Sequence, residues 1–129
     1  MQPLKGQFIE ATPKRVNFAK KFHDEVGISS NAQLLVDFNE LQDHIHNGWT
    51  IPSRFYRLGV GKTPDLLLRK TGVKHLHLGG SASDVLVYLL ELDDRVIIVR
   101  IADHRFLEDR PRGIGLFRLL GLRHPYLKK

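Results

Sequence analysis

The chain contains no cysteine, which excludes disulfides, thiol nucleophiles, zinc fingers and iron–sulfur clusters together. It has no apolar run near the roughly 20 residues that a membrane-spanning helix requires. The opening MQPLKGQFIE also lacks the apolar region of a secretory signal, so a soluble, cytoplasmic protein is expected. Internal repeats and low-complexity linkers are missing too. At about 100–200 residues per domain, the chain is therefore read as a single domain spanning 1–129. What is present, 42% hydrophobic and 26% charged residues, is the composition of a chain that folds rather than one that stays disordered.

An excess of one charge sign is absent from the first 94 residues, which hold eleven Lys and Arg against eleven Asp and Glu. The last 35 residues hold nine against three, so the whole net charge of +6 lies there. Seven of those cations are arginines, whose planar fork suits bidentate phosphate binding better than an ammonium does. A polyanionic partner is implied, nucleic acid first and an acidic protein second. A solvated basic tail is the plain alternative.

The pattern of elements divides the chain at Gly72. Before it, LKGQFIEA (4–11) reads as a strand, with Thr12 as an N-cap and Pro13 opening a helix. That helix carries Phe18, Phe22 and Val26 on one stripe and ends at Gly27. A second helix is expected from a Ser30/Gln33 capping box, with Leu34, Leu35, Phe38, Leu41 and Ile45 at helical spacing and Asn47-Gly48 as its stop. His44 and His46 fall near its end, where imidazolium complements the helix dipole, and are read as surface residues. Residues 49–72 are punctuated by Pro52, Gly59, Gly61 and Pro64 and allow only short helical turns at SRFYRL and PDLLLRK. Beyond Gly72 the period changes to two. VKHLHL (73–78), VLVYLLEL (85–92) and RVIIVRIAD (95–103) read as strands, the last two joined by an Asp93-Asp94 hairpin. The middle one is apolar on both faces, as a central strand is. GLFRLLGL (115–122) closes the chain as a short helix or strand. The expected class is α+β, with N-terminal helices packed on one face of a small antiparallel sheet.

GVGKT (59–63) resembles a phosphate loop, but the glycine required five residues before the GK glycine is Tyr56, and no apolar strand leads into it. His75 and His77, two apart on a strand, leave the same face, while Leu76 and Leu78 point to the core. Two such histidines could begin a metal site if His104 joined them; half-exposed strand histidines are the plain alternative. On a regular third strand, Arg100 and His104 would share a side with Val96, Ile98 and Ala102, leaving Ile97, Val99 and Ile101 as the core face. With Arg105 after the turn, these residues form a candidate phosphate-handling cluster, against an ordinary solvent-facing Arg/His pair.

The segment HLHL…LVYLLELDDRVIIVRIADHRF resembles the C-terminal half of RelE/YoeB-type toxins of bacterial toxin–antitoxin pairs. It is most similar to the YafO branch in the order of an amphipathic helix, a Gly-Pro stretch (NGWTIP), an HxHL strand, an LVY strand and a late histidine, across residues 35–106. The resemblance implies a RelE-like fold and a ribosome-dependent endoribonuclease that cuts mRNA and is silenced by a cognate antitoxin. It places His104 at the functional histidine. Two positions depart from the pattern: Val85 stands where an arginine commonly precedes LVY, and Arg105 rather than an aromatic follows His104. Arg100 or Arg105 would then replace the missing cation.

Metal-free RNA cleavage needs a base for the 2′-hydroxyl, an acid for the leaving oxygen and cations for the charge on phosphorus. Imidazole, with an ordinary pKa of about 6.5, serves as either proton carrier. His104 is the first candidate and His75 or His77 its complement, with Arg100 and Arg105 on the phosphate, Lys74 as a weaker contact, and neither cofactor nor metal. Arg110, Arg112, Arg118 and Arg123 would track the RNA backbone of message or ribosome. The rival is a non-catalytic binder, a ParE-like toxin or a basic adaptor, which the missing arginine before LVY favours. A DNA-binding module is disfavoured, because no second helix of a helix-turn-helix carries basic residues.

The arginine cluster generates a first prediction. Neutralising Arg110, Arg112, Arg118 and Arg123 in turn should weaken RNA or ribosome binding alike for every sequence, each lowering the slope of log affinity against log salt by about one. Binding titrations across a salt series check this, and a flat salt response would remove RNA from the reading of this region.

Overall fold

The structure is a computed structural model in which residues 3–56, 68, 71–79 and 83–103 are described. Four strands form one mixed sheet: β1 (Arg15–Asp24), β2 (Val73–Leu78), β3 (Val85–Glu91) and β4 (Arg95–Asp103). Their spatial order is β1-β4-β3-β2. β2, β3 and β4 make antiparallel pairs, and β1 adds to β4 in parallel. Helix α1 (Ala32–Asn47) lies between β1 and β2 in the chain and packs on one face.

The class is α+β, but two expectations about the first 30 residues are overturned. Residues 4–11 form no strand, and residues 15–24 are a strand rather than a helix that Pro13 opens and Gly27 closes. Phe18 and Phe22 do share a side, as a helix would require, because a spacing of four also satisfies a period of two. Their rings meet edge to face at 4.9 Å. The sheet is accordingly mixed rather than antiparallel, and among the described residues α1 follows a strand instead of N-terminal helices preceding the sheet.

Helix α1 begins one residue later than the capping-box reading places it. Asn31 is the N-cap, its Oδ1 accepting the Leu34 N–H at 3.1 Å. Ser30 belongs to a preceding 3-10 turn, where its hydroxyl donates to the Gly27 carbonyl. Leu34, Phe38, Leu41 and Ile45 enter a core shared with Leu76, Leu78, Val87, Leu89, Val96, Ile98 and Ile101 of the sheet. Asp37, also buried, accepts the Gly79 N–H at 2.7 Å and so ties the helix to the end of β2. The turn before β4 is held by Asp94, whose carboxylate takes two hydrogen bonds from Arg95 and one from Arg15. The Arg95 hydrogen bond above all, opposed in part by desolvation, keeps the Asp94 carboxyl well below the usual carboxylate range.

β4 carries a bulge. Leu89 pairs with Ile98 and Tyr88 with Arg100, so Val99 has no partner of its own on β3. The extra residue reverses the alternation. Val96, Ile98 and Ile101 face α1, while Val99 and Ala102 join Leu86, Tyr88 and Leu90 in a second cluster on the opposite face. Arg100, opposite Tyr88, belongs to that second face. The expected sharing of one side by Arg100, Val96 and Ile98 fails for this reason, as does a core face of Ile97, Val99 and Ile101.

Gly48 ends α1 in the left-handed region at φ 73°, and a Cβ there would stand 2.4 Å from the Pro13 nitrogen. At Gly27, φ 74°, a Cβ would make only an ordinary contact, 3.9 Å from Ser30 Oγ. Gly27→Ala should therefore cost about 1–2 kcal/mol of backbone strain. Gly48→Ala should cost a further 1–3 kcal/mol or so for displacing residues 12–13. Urea unfolding of both variants checks the difference, and equal losses would contradict the contact.

Candidate functional site

The face opposite α1 brings together three of the residues expected to act. In the sheet register His75 pairs with Tyr88, and Tyr88 with Arg100, which makes one row across β2, β3 and β4. The next row is His77, Leu86 and Ala102. Directly opposed residues share a face. His75 and His77 thus flank each other on it, their rings 5.6 Å apart, and the His75 ring lies 6.3 Å from that of Tyr88. Both histidines are half-buried. Among the described residues no group of three His, Asp or Glu side chains is arranged to hold a metal ion.

Arg100 is not a bare cation. Its guanidinium is paired with Glu25, just past the end of β1, and its side chain is 14% exposed. Glu25 reaches it because the backbone there is fixed twice: its N–H donates to the Ile101 carbonyl, and Asp24 caps the following turn by accepting from Val26, Gly27 and Ile28. His104, Arg105, Arg110, Arg112, Arg118 and Arg123 lie outside the described residues, as does the GVGKT segment.

Lys74 sits elsewhere. It shares alternation with Leu76 and Leu78, so it points to the α1 side of the sheet, and it is 3% exposed. Its ammonium binds Glu91 Oε1. Lys14, also buried, approaches the other oxygen of Glu91 at 3.4 Å and donates to the carbonyls of Leu92 and Asp93. The Glu10 N–H completes the set at 2.8 Å from Glu91 Oε2. Lys74 is therefore engaged with an internal carboxylate rather than displayed at the surface.

Four of these partners were not anticipated from sequence: Lys14, Glu25, Tyr88 and Glu91. Glu91 left a readable signal, being the one charge in a strand apolar on both faces; a carboxylate buried there requires a partner. Tyr88 lay within LVY with no role attached. Glu25 left none, since its approach to Arg100 depends on β1 lying parallel to β4.

Tyr56 stands beside this buried group. Its hydroxyl oxygen accepts the Ile9 N–H at 3.0 Å. Burial raises its pKa, the Ile9 hydrogen bond opposes that rise, and the negative charge of Glu91 adds to it. The phenol is neutral at physiological pH. Together Gln7, Tyr56, Leu68, Lys74 and His75 line a small cleft of about 70 Å³ that opens to solvent.

Removing Glu91 would leave two buried ammoniums facing each other. Glu91→Gln should cost about 3–5 kcal/mol, the usual scale for stripping one partner from a buried ion group. Lys74→Met should cost less, because Lys14 and the Glu10 N–H still meet the carboxylate. Denaturant unfolding of the two variants checks the order, and a loss for Glu91→Gln as small as that of a surface substitution would contradict the burial. Comparison of the chain with family models, with curated proteins and with solved structures finds no significant match in any of the three.

Proposed function

We propose that the protein is the toxin of a bacterial toxin–antitoxin pair, of RelE-like fold and nearest the YafO branch, acting as a metal-independent, ribosome-dependent endoribonuclease on mRNA. The observation that carries this reading is the row His75–Tyr88–Arg100 with His77 beside it, two imidazoles and a guanidinium on one sheet face. That is the side-chain set which transesterification by the 2′-hydroxyl requires: a proton acceptor, a proton donor and a cation for the developing phosphorane charge. His104, one residue beyond β4, is the second or third proton carrier of the set, and Arg105 a second cation. The basic residues Arg110, Arg112, Arg118 and Arg123 hold the nucleic-acid backbone without reading its sequence.

Arg100 must exchange Glu25 for a phosphate in this scheme. A guanidinium that is only partly buried can do so, since a phosphate offers the same two-oxygen geometry with more charge. Release from Glu25 then accompanies substrate binding.

The internal pairing of Arg100 with Glu25 and of Lys74 with Glu91 favours a second reading, a non-catalytic toxin or adaptor that acts through protein contact. One experiment separates the two. Induction of the protein alone, followed by mapping of mRNA 5′ ends, should show new defined ends as translation stops. His104→Ala and His77→Ala should each lower cleavage by about 10²-fold or more in folded protein, and strong chelators should change nothing. Arrested growth without new ends, equally potent in both histidine variants, would transfer the case to the binder.

A further inference from the structure

Lys14, Lys74 and Glu91 form a buried group with two ammoniums and one carboxylate. Among the described residues, the nearest further carboxylate, Glu10, stands 3.9 Å from Lys14 with its side chain 63% exposed, which screens its contribution. One positive charge is thus left over among the described residues in a buried place, and an uncompensated charge there is costly. Lys14 uses its remaining protons on the Leu92 and Asp93 carbonyls. Lys74 does not: of its three N–H groups, one meets Glu91 and no other acceptor among the described residues meets the rest. The Tyr56 hydroxyl accepts from Ile9, and its own proton likewise has no acceptor among the described residues. Lys74 and Tyr56 both line the cleft, with the exposed Gln7 at its side. Its volume, about 70 Å³, is well below that of small-molecule pockets and suits one compact group rather than a whole nucleotide.

We propose that this cleft binds a single phosphate-sized oxyanion, held by the ammonium of Lys74 and the hydroxyl of Tyr56, with Gln7 at the mouth. The anion balances the buried charge and takes up donors that no described residue meets. The inference does not rest on the nuclease reading, since it needs no chemistry, although His75 lines the same cleft. The phosphate has two sources, the free ion or a phosphate of RNA.

The test is calorimetric titration of the full chain with inorganic phosphate at constant ionic strength in a chloride background. Saturable one-to-one binding is expected. Tyr56→Phe should weaken it about tenfold, the scale of one hydrogen bond to a charged group. Gln7→Glu alters only an exposed side chain and keeps the test sound if Tyr56→Phe does not fold. It should weaken binding at least about threefold at low salt, by like-charge repulsion at the mouth. Uridine 3′-monophosphate, run in parallel, identifies the source: at least tenfold tighter binding than phosphate assigns the site to RNA, and equal affinity assigns it to the free ion. No saturable binding up to roughly 20 mM phosphate, weaker than any useful affinity, would overturn the proposal. So would identical isotherms for the wild type and Gln7→Glu.

Discussion

The bulge at Val99 decides what each face of the sheet can do. β4 has neighbours on both sides, β1 and β3, so a change in its alternation is felt across the sheet. With no bulge, Arg100 would share the α1 face with Ile98 and would enter the apolar core there, a costly placement for a cation. The extra residue sends Arg100 to the histidine face and returns Ile101 to the helix face, where it packs in the core. The same level of the sheet is irregular on the other side. Between Phe18 and His23 the register of β1 against β4 also shifts, and past that shift the chain reaches Asp24 and the Glu25 that pairs with Arg100. Both irregularities meet at one level, and they assemble the site there.

Much of this order is legible in the sequence, for physical reasons that can be named. β2, β3 and β4 announce themselves because β-branched and apolar residues alternate or run continuously between Gly and Asp punctuation. α1 is equally plain, with its core stripe fixed by Leu34, Phe38, Leu41 and Ile45. β1 is not. Phe18 and Phe22, four apart, fit a strand as well as a helix, and Thr12-Pro13 imitates a helix start while in fact passing over Gly48. A register shift inside β1 further blurs its period. A bulge is likewise invisible to a reading that counts in twos, which is why the spacing groups Arg100 correctly with Ala102 but wrongly with Val96 and Ile98. The pairing of His75 with His77 on one face needed no such count across an irregularity, and it holds.

Lys74 shows the opposite case, a signal present but outweighed by residue type. In VKHLHL it alternates with Leu76 and Leu78, and strand geometry alone puts it on the apolar side. Reading it as a surface contact followed from its charge. Burial becomes possible because Glu91 occupies the facing strand on the same side, with Lys14 delivered by the segment before β1. Such a group gives little net stability compared with an apolar replacement, but it is sensitive to loss of any member. It also joins three parts of the chain that no apolar contact would specify so narrowly: the end of β3, the start of β2 and residues 10–14.

Lys74 and His75 are neighbours in sequence and point to opposite faces, yet both line one cleft. In the middle of a sheet this cannot happen, because the strand on either side separates the faces. It happens here because β2 is the last strand in the sheet order and the cleft lies over its edge. The edge therefore links the buried charge under α1 to the histidine face beyond it. A ligand anchored at Lys74 would lie next to His75, and a chain of phosphates running from that anchor across the row would meet His75 before Arg100.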